Sequence, residues 1–477
     1  MEYCKKDNFV WTSDSANTLG VVFTNNITRM HDLNLTPKIN AFCHCLQNWK
    51  KWNLSLIGKI NVLKTFALPK LIYPLTVLHK PNIDIIKNIE KLMFDFLWNG
   101  KPDKISRNTI IQDYKNAGLK MVDIHSFIDG LKISWIKRLE NDKANNWQHI
   151  YEQELAIYGG NLFFKCYMTE KDVKLLKIKS KFLKDIMLSW SKINFKSEHK
   201  QIAKQIIWNN SSIKLDRNTT FFFEDWYDKG ILFIEHIYDY RSSNFYSFGD
   251  LIQLYDIQIG DFTKYHSLVQ NIPAEWKQTL STEPMSYNPP KYLIDKIKNK
   301  RKINKIAYNI LIETKQNNPI KQIHKWNHEI GHDNMKWENI FLTPLLCTVD
   351  TKLREFQYKY LMRTIPNNSY LLKCKLVPST LCDFCSMFPD SNIHMFWECH
   401  VIQAFWGNIY KFLKVYVPSI NTFNYFDISF CTVQSNDPQK SILINYIILL
   451  TKYFIFKSKC TLTSPTIEPF KEYLIHR

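Results

Sequence analysis

The sequence predicts a mainly α-helical protein made of several domains, on three observations. Apolar residues recur at helical spacing from Ala41 to Leu139, with turn signals between the segments. The chain has 477 residues, 45% of them hydrophobic, which is enough for about three domains with buried cores. Charged residues occur in blocks of different sign, which indicates that the domain changes along the chain.

Three amphipathic helices are predicted in the amino-terminal third, and together they are the parts of a small helical bundle. The first runs from Leu54 to Leu68, and Pro69 is expected to end it. The second runs from about Ile83 to Trp98 and the third from about His125 to Leu139. The residues expected to face the core are Leu56, Ile60, Leu63 and Ala67 in the first helix, Ile86, Ile89, Met93 and Leu97 in the second, and Ile128, Leu131, Trp135 and Leu139 in the third.

Neither a signal peptide nor a membrane span is predicted. The segment Met1 to Ser15 mixes charged residues and contains no apolar run. The most apolar stretch, Ile442 to Phe456, contains Asn445, Thr451 and Lys452 and is shorter than the ~20 residues that cross a bilayer. We therefore expect a buried helix there, in an intracellular protein of the nucleus or cytoplasm that has no membrane partner and is not secreted.

Positive charge is in excess, with 63 lysines and arginines against 44 acids and a formal net charge of +19. Such an excess favours a polyanionic partner, either a nucleic acid or an anionic membrane surface. The blocks from Lys165 to Lys184 and from Lys291 to Lys305 each hold seven basic residues. The segment Gln201 to Pro290 between them is mildly acidic and rich in aromatics, so we expect a separate connector there. The proline-rich stretch Ser281 to Pro290 is its predicted linker.

The strongest local signal is the motif Cys382-x2-Cys385-x8-His394-x4-Cys399. Two cysteines separated by two residues present both sulfurs to one ion, and a later histidine and cysteine can complete a tetrahedron. Thiolate and imidazole ligands favour zinc, and four protein ligands leave no open position, so the predicted site is structural. His400 is an alternative fourth ligand in place of Cys399. A chance Cys-x2-Cys pair packed beside aromatics is the alternative to a metal site.

Motifs of catalysis are missing from the sequence. Polymerases of the palm type hold two metal ions with carboxylates that commonly include adjacent aspartates, and no Asp-Asp pair occurs. The pair Glu224-Asp225 follows three phenylalanines and is interpreted as the end of a strand. No Walker loop, GxSxG or HExxH motif is present either. The residues alone therefore predict no active site.

The amino-terminal helices resemble a known family. In order and spacing they are similar to the thumb of reverse transcriptases from LINE-type, non-LTR retrotransposons. Asn53-Leu-Ser-Leu-Ile-Gly-Lys starts the first matching segment, which runs to Pro74. The other matching segments are Phe96-Leu-Trp-Asn-Gly-Lys101, Gly118-Leu-Lys-Met-Val-Asp-Ile124 and Leu131 to Leu139.

Two further segments support the resemblance. His394-Met-Phe-Trp-Glu-Cys399 with Phe405-Trp406 is similar to the zinc-binding segment near the carboxyl end of these proteins, and Leu19 to Phe23 is similar to the segment that follows the catalytic hairpin of the palm. The resemblance implies that fingers and palm precede this chain, so no catalytic residue is carried over. It implies five regions: a palm remnant at 1–30, a helical thumb at 31–158, a mixed connector at 159–290, a basic helix with a small α-rich zinc-binding domain at 291–430, and a carboxyl-terminal helix at 431–477.

The function implied by the resemblance is non-specific binding of RNA or RNA/DNA duplex, without polymerase activity in this chain alone. The fingers and palm part of the element protein is an implied partner. Two alternatives are a non-functional relic of a retrotransposon and a protein-interaction module adopted by the host. The expected phosphate contacts are Lys50, Lys51, Lys59, Lys64, Lys70, Lys137, Arg138, Lys300, Arg301 and Lys302.

Some of these assignments have open alternatives. Any single lysine on a helix can simply be solvated. The cluster from Lys298 to Lys302 fits a nuclear-import patch, an RNA contact or a charged helix face equally well. Most aromatics, among them Phe66, Trp98 and Trp135, are interpreted as core residues. Phe396 and Trp397, beside the metal motif, are the candidates for stacking on bases.

Overall fold

The computed structural model is mainly helical, which confirms the predicted fold class. In the part of the chain that it describes, strands form two short antiparallel hairpins. Strand β1 (Ser15–Thr18) pairs with β2 (Val21–Thr24), and β3 (Tyr238–Asp239) pairs with β4 (Asn244–Phe245). The described residues are 14–139, 146–194, 201–215, 219–282, 290–315, 320–331 and 335–476.

Side-chain caps fix where several helices of the amino-terminal half begin. The Ser55 hydroxyl accepts a hydrogen bond from the Gly58 N–H, and the Asp123 carboxylate accepts one from Ser126. Each satisfies a backbone donor that the first helical turn leaves unpaired. The helices of this half are α1 (Met30–Asn34), α2 (Thr36–Lys50), α3 (Leu56–Val62), α4 (Pro69–Val77), α5 (Ile83–Trp98), α6 (Arg107–Ile110), α7 (Ile124–Ile133), α8 (Ile136–Leu139), α9 (Asn146–Ala156), α10 (Glu170–Leu175), α11 (Lys181–Asn194) and α12 (Glu224–Asp228).

The carboxyl-terminal half continues the helical pattern. Its longest helix begins with Pro438 directly after the capping residue Asp437, a position where proline loses no hydrogen bond. The helices are α13 (Phe248–Tyr255), α14 (Phe262–Asn271), α15 (Ala274–Thr282), α16 (Leu293–Ile297), α17 (Ile303–Glu313), α18 (Lys321–Ile330), α19 (Trp337–Cys347), α20 (Thr351–Leu361), α21 (Asn368–Lys373), α22 (His400–Tyr416), α23 (Tyr425–Phe430), α24 (Pro438–Cys460) and α25 (Ile467–Ile475).

The predicted bundle helices are present, with breaks that periodicity does not show. Helix α5 has the predicted bounds, and its expected core residues are buried. The first predicted helix divides into α3 and a π-turn at Leu63–Ala67, after which Pro69 begins α4. Proline therefore ends one helix and starts the next, as its fixed φ and missing N–H allow. The third predicted helix is broken at Ser134-Trp135 into α7 and α8.

The chain folds into two compact units, which we call unit 1 and unit 2. Unit 1 consists of Met1–Ala41, Pro69–Glu90 and Asp123–Lys315, and unit 2 of Phe42–Leu68, Lys91–Val122 and Gln316–Arg477.

The core of unit 1 is built around α7, which packs against α17 and α11. A side chain at Gly130 of α7 would lie 2.9 Å from the Asn304 carbonyl oxygen, so the close approach of backbones requires glycine there. The predicted connector shares this core, because Trp208 and Trp226 are buried in one cluster with Trp190 of α11.

Two further predictions concern the connector. The pair Glu224-Asp225 begins α12 instead of ending a strand, and residues 283–289 of the predicted linker lie outside the described residues.

The core of unit 2 contains α24, which packs against α19 and α20. The predicted stretch 442–456 is helical and mostly buried, although Ile442 and Leu443 at its start are 41% and 47% exposed. By length and composition α24 could cross a membrane, and 56% of its apolar window is buried in the fold.

Candidate metal centre and basic surface

Four side chains of unit 2 converge at the predicted metal motif. The ligand atoms of Cys382, Cys385, His394 and Cys399 all lie within 4.8 Å of one another. The Cys385 Sγ and the His394 Nε2 are 3.3 Å apart. The three residues other than Cys385 are buried. This set could hold one metal ion, and His400 is exposed and outside it, so Cys399 is the fourth member.

The first two ligands are placed by a tight loop. The Cys382 N–H donates to the Phe388 carbonyl at 2.9 Å, and the Ser386 N–H donates back to the Cys382 carbonyl at 2.8 Å. Ser386 adopts a left-handed conformation, with φ of 54°, which a short polar residue tolerates better than a branched one. The loop therefore turns Cys385 back toward Cys382.

The last two ligands are placed by a π-turn at His394–Glu398. Residues five apart on an α-helix point about 140° away from each other, at 3.6 residues per turn. Here the Cys399 N–H donates to the His394 carbonyl at 3.0 Å, closing a turn of five residues. The wider turn lets His394 and Cys399 face the same point. A π-turn of this kind is rare and frequently lies at a functional site.

A second layer of hydrogen bonds holds the segment Cys382–Cys399, which we call the metal loop. The Asp390 carboxylate accepts from the Asn368 N–H at 2.7 Å, and the Asp390 N–H donates to the Thr380 carbonyl at 2.7 Å. The Ser369 hydroxyl donates to the Asp390 carbonyl, also at 2.7 Å. Such contacts limit the movement of the ligands that the loop carries.

The three thiols differ in acidity. Burial raises the pKa of Cys382 to about 12 and also raises the pKa of Cys399. Burial opposes ionisation of Cys385 too, but N–H groups of Met387 and Phe388 and the His394 ring lower its pKa to about 6. One thiolate is therefore favoured by the fold, whereas the other two need a cation to remain charged.

The predicted phosphate contacts are mostly at the surface. In unit 2, Lys50, Lys51 and Lys64 are exposed. In unit 1 the exposed residues are Lys70 on α4, Lys137 and Arg138 on α8, and Lys300, Arg301 and Lys302 before α17.

Lys59 is the exception, because its side chain is buried in unit 2. Its Nζ donates to the Leu97 carbonyl at 3.1 Å and to the Asn99 Oδ1 at 2.7 Å. Burial lowers the pKa of Lys59. The ammonium group thus caps the carboxyl end of α5, where the helix dipole favours a cation, and the expectation that it contacts phosphate is corrected.

Several aromatic residues are also placed differently from expectation. Trp98 is buried as predicted and Trp135 is half-buried, but Phe66 is 49% exposed. Phe66 lies between Leu63 and Ala67 of the buried stripe, on the side of the segment that faces solvent. Phe396 is buried, which removes it as a stacking candidate, while Trp397 is half-buried.

The sequence contains a signal that the charge blocks did not reveal. Residues 33–83 include seven lysines and no aspartate or glutamate. We call this segment the acid-free run. Counting only the acidic residues along the chain, instead of the excess of basic over acidic residues, reveals this segment.

The metal loop is the only group of histidine, cysteine and acidic side chains placed to hold a metal ion among the residues described. No protein-family model matches the chain.

Proposed function

We propose that this chain corresponds to the part of a LINE-type, non-LTR retrotransposon reverse transcriptase from the thumb onwards. In this proposal it binds RNA or RNA/DNA duplex without base specificity. It does not polymerise DNA alone, because no residue matches the catalytic aspartates of the palm. The resemblance of the segments quoted above supports the assignment, and the charge of the exposed surface supports the mode of binding.

The acid-free run is the observation that carries the proposal. Its lysines Lys50, Lys51 and Lys64 are exposed on unit 2, and lysines that neutralise phosphates give affinity without reading bases. The acidic group that acts on Lys64 is Asp113, which is already paired with Lys120 at 3.2 Å. The positive potential of these lysines is therefore not cancelled locally.

The metal loop supports a structural zinc ion as part of the same proposal. A tetrahedral zinc with Zn–S bonds of about 2.3 Å holds its sulfurs about 3.8 Å apart, within the 4.8 Å that bounds the four ligand atoms. Three thiolates and one imidazole favour zinc over magnesium or calcium. When bound, zinc would neutralise the thiolates and fix the loop. With four protein ligands it would have no position for a reacting water.

The experiment is a salt titration of binding by the purified 477-residue chain. We expect the affinity for an RNA/DNA duplex to fall with salt, with a log–log slope of about 0.7 to 0.9 per phosphate neutralised. Two duplexes of unrelated sequence should bind alike. Salt-independent binding, or none at about 50 mM salt, would contradict the proposal. Primer extension by the chain alone would contradict the absence of polymerase activity.

A further inference from the structure

Three aromatic residues of unit 2 make up what we call the aromatic platform: Trp49, Trp52 and Phe66. The rings of Trp49 and Phe66 are stacked, with centroids 5.2 Å apart and an interplanar angle of 29°. The Trp52 N–H donates to the Trp49 carbonyl at 3.2 Å, so this residue follows on the same turn. Trp52 is 66% exposed and Phe66 49% exposed. Contiguous exposed apolar surface commonly marks an interaction site, whereas apolar residues scattered singly over a surface need no partner.

Phe66 lies in the π-turn at Leu63–Ala67. The Leu68 N–H donates to the Leu63 carbonyl at 2.9 Å, five residues back. Leu63 and Ala67 are buried, while Lys64, Thr65 and Phe66 between them are all exposed. Phe66 therefore lies on the solvent side of this turn, and π-turns are rare and frequently lie at functional sites.

The charges around the platform are all positive in the local sequence. Lys50 and Lys51 lie between Trp49 and Trp52, and Lys64 lies two residues before Phe66. All three lysines are exposed. The alternation of rings and cations matches the surfaces that bind single strands, where bases stack on aromatics and phosphates meet basic residues.

We propose that the aromatic platform binds an unpaired stretch of RNA, with bases stacked on Trp52 and on Phe66 and phosphates against Lys50, Lys51 and Lys64. A duplex cannot use these rings, because its bases are already stacked on each other. The exposed Thr65, adjacent to Phe66 in the chain, has a hydroxyl that can hydrogen-bond to the 2′-hydroxyl that distinguishes RNA from DNA. This inference deepens the proposed function and rests on it: the chain would hold single-stranded template as well as duplex.

The test compares binding of an oligouridylate of about 12 nucleotides, within the site sizes of single-strand binding folds, with binding of an abasic sugar-phosphate polymer of equal length. Trp52→Ala should weaken oligouridylate binding about five- to a hundredfold. It should leave binding of the abasic polymer, and the salt dependence, unchanged, because the lysines remain. Phe66→Leu should act in the same direction, since it keeps an apolar contact with Trp49 but removes the aromatic face.

The matched control is Phe262→Ala on α14, since Phe262 is 54% exposed and lies in the acidic segment. It should change no affinity. If Trp52→Ala and Phe66→Leu both bind oligouridylate like the unsubstituted chain while its binding remains salt-dependent, the platform is wrong and the proposed function stands. If the unsubstituted chain binds neither RNA nor duplex, the platform and the proposed function are both wrong. Equal affinity for oligodeoxyuridylate would overturn the assignment to RNA.

Discussion

Lys459 of α24 forms an ion pair with the Asp390 carboxylate inside the metal loop, although the two residues are 69 positions apart in the sequence. Asp390 is completely buried. The Lys459 Nζ also lies 2.7 Å from Asp383, between the first two ligands, and 3.2 Å from the Asn368 Oδ1. One lysine of α24 therefore holds the loop on both sides of Cys385. The carboxylates in turn raise the pKa of Lys459 against the opposing effect of burial.

Replacing this lysine should destabilise unit 2. Lys459→Met leaves the Asp390 charge buried and unpaired, which costs about 3 to 5 kcal/mol in unfolding free energy. Adding Asp390→Asn should recover part of the loss, because the charge is then gone. Urea unfolding measures both. Lys457→Met on the same helix is the control, since Lys457 is exposed. A loss no larger than that of the control would show that the ion pair does not hold the loop.

Metal removal should loosen the same region. The isolated protein should contain about one zinc per chain, as a complete four-ligand set requires. Cys382→Ser and His394→Ala should each lose the metal and lower the melting temperature, and a chelator should do the same to the unsubstituted chain. His400→Ala should retain zinc, because His400 lies outside the cluster. Elemental analysis decides, and a zinc content near zero in fresh, reduced protein would refute the site.

The lysines of the acid-free run should fall into two classes: exposed lysines that contact phosphate, and the buried Lys59, which stabilises the fold. Lys50→Ala combined with Lys51→Ala should reduce the salt slope of duplex binding by about 0.7 to 0.9 per lysine that meets a phosphate, with little change in stability. Lys59→Met should leave the slope unchanged but cost about 1 to 2 kcal/mol, because α5 loses its carboxyl-terminal cap. Parallel binding and urea titrations test this. A reduced slope for Lys59→Met would contradict the buried position of Lys59.

Lys452 should make stability depend on pH. Its Nζ is buried, 3.5 Å from the centre of the Tyr360 ring, and donates to the Gln357 Oε1 at 2.9 Å and the Ser429 carbonyl at 2.8 Å. Burial lowers its pKa to about 7 from 10.5. Between these values the unfolded chain binds a proton at this lysine and the folded chain does not. The contribution of Lys452 to stability therefore rises with pH through that window and is lowest below it.

The variant Lys452→Met should remove this dependence. The difference in unfolding free energy between the unsubstituted chain and the variant should change by about 1 kcal/mol per pH unit from about pH 7 to pH 10, in favour of the lysine at high pH. The variant should be relatively more stable below pH 7, since no charge is then buried. Exposed Lys440→Met on the same helix should show no such trend. A pH-independent difference for Lys452→Met would mean that Lys452 stays protonated in the fold.

The amino-acid sequence by itself determined the helical class, the bounds and buried face of α5, and the four residues of a cluster that could hold a metal ion. These features depend on spacing within a short segment: 3.6 residues per turn fixes which side chains share a face, and Cys-x2-Cys fixes where two sulfurs point. The net charge likewise needs no fold.

Only the tertiary structure decided which role each residue has where the sequence offered two equivalent candidates. Lys59 and Lys64 both border the buried stripe of the first predicted helix, yet one caps α5 and the other faces water. Cys399 and His400 are adjacent, and the π-turn selects the cysteine. The reason is physical: the environment of a side chain is made by elements far away in the sequence, as when α24 brings Lys459 to Asp390. Periodicity records only neighbours on one helix, so it cannot contain that information.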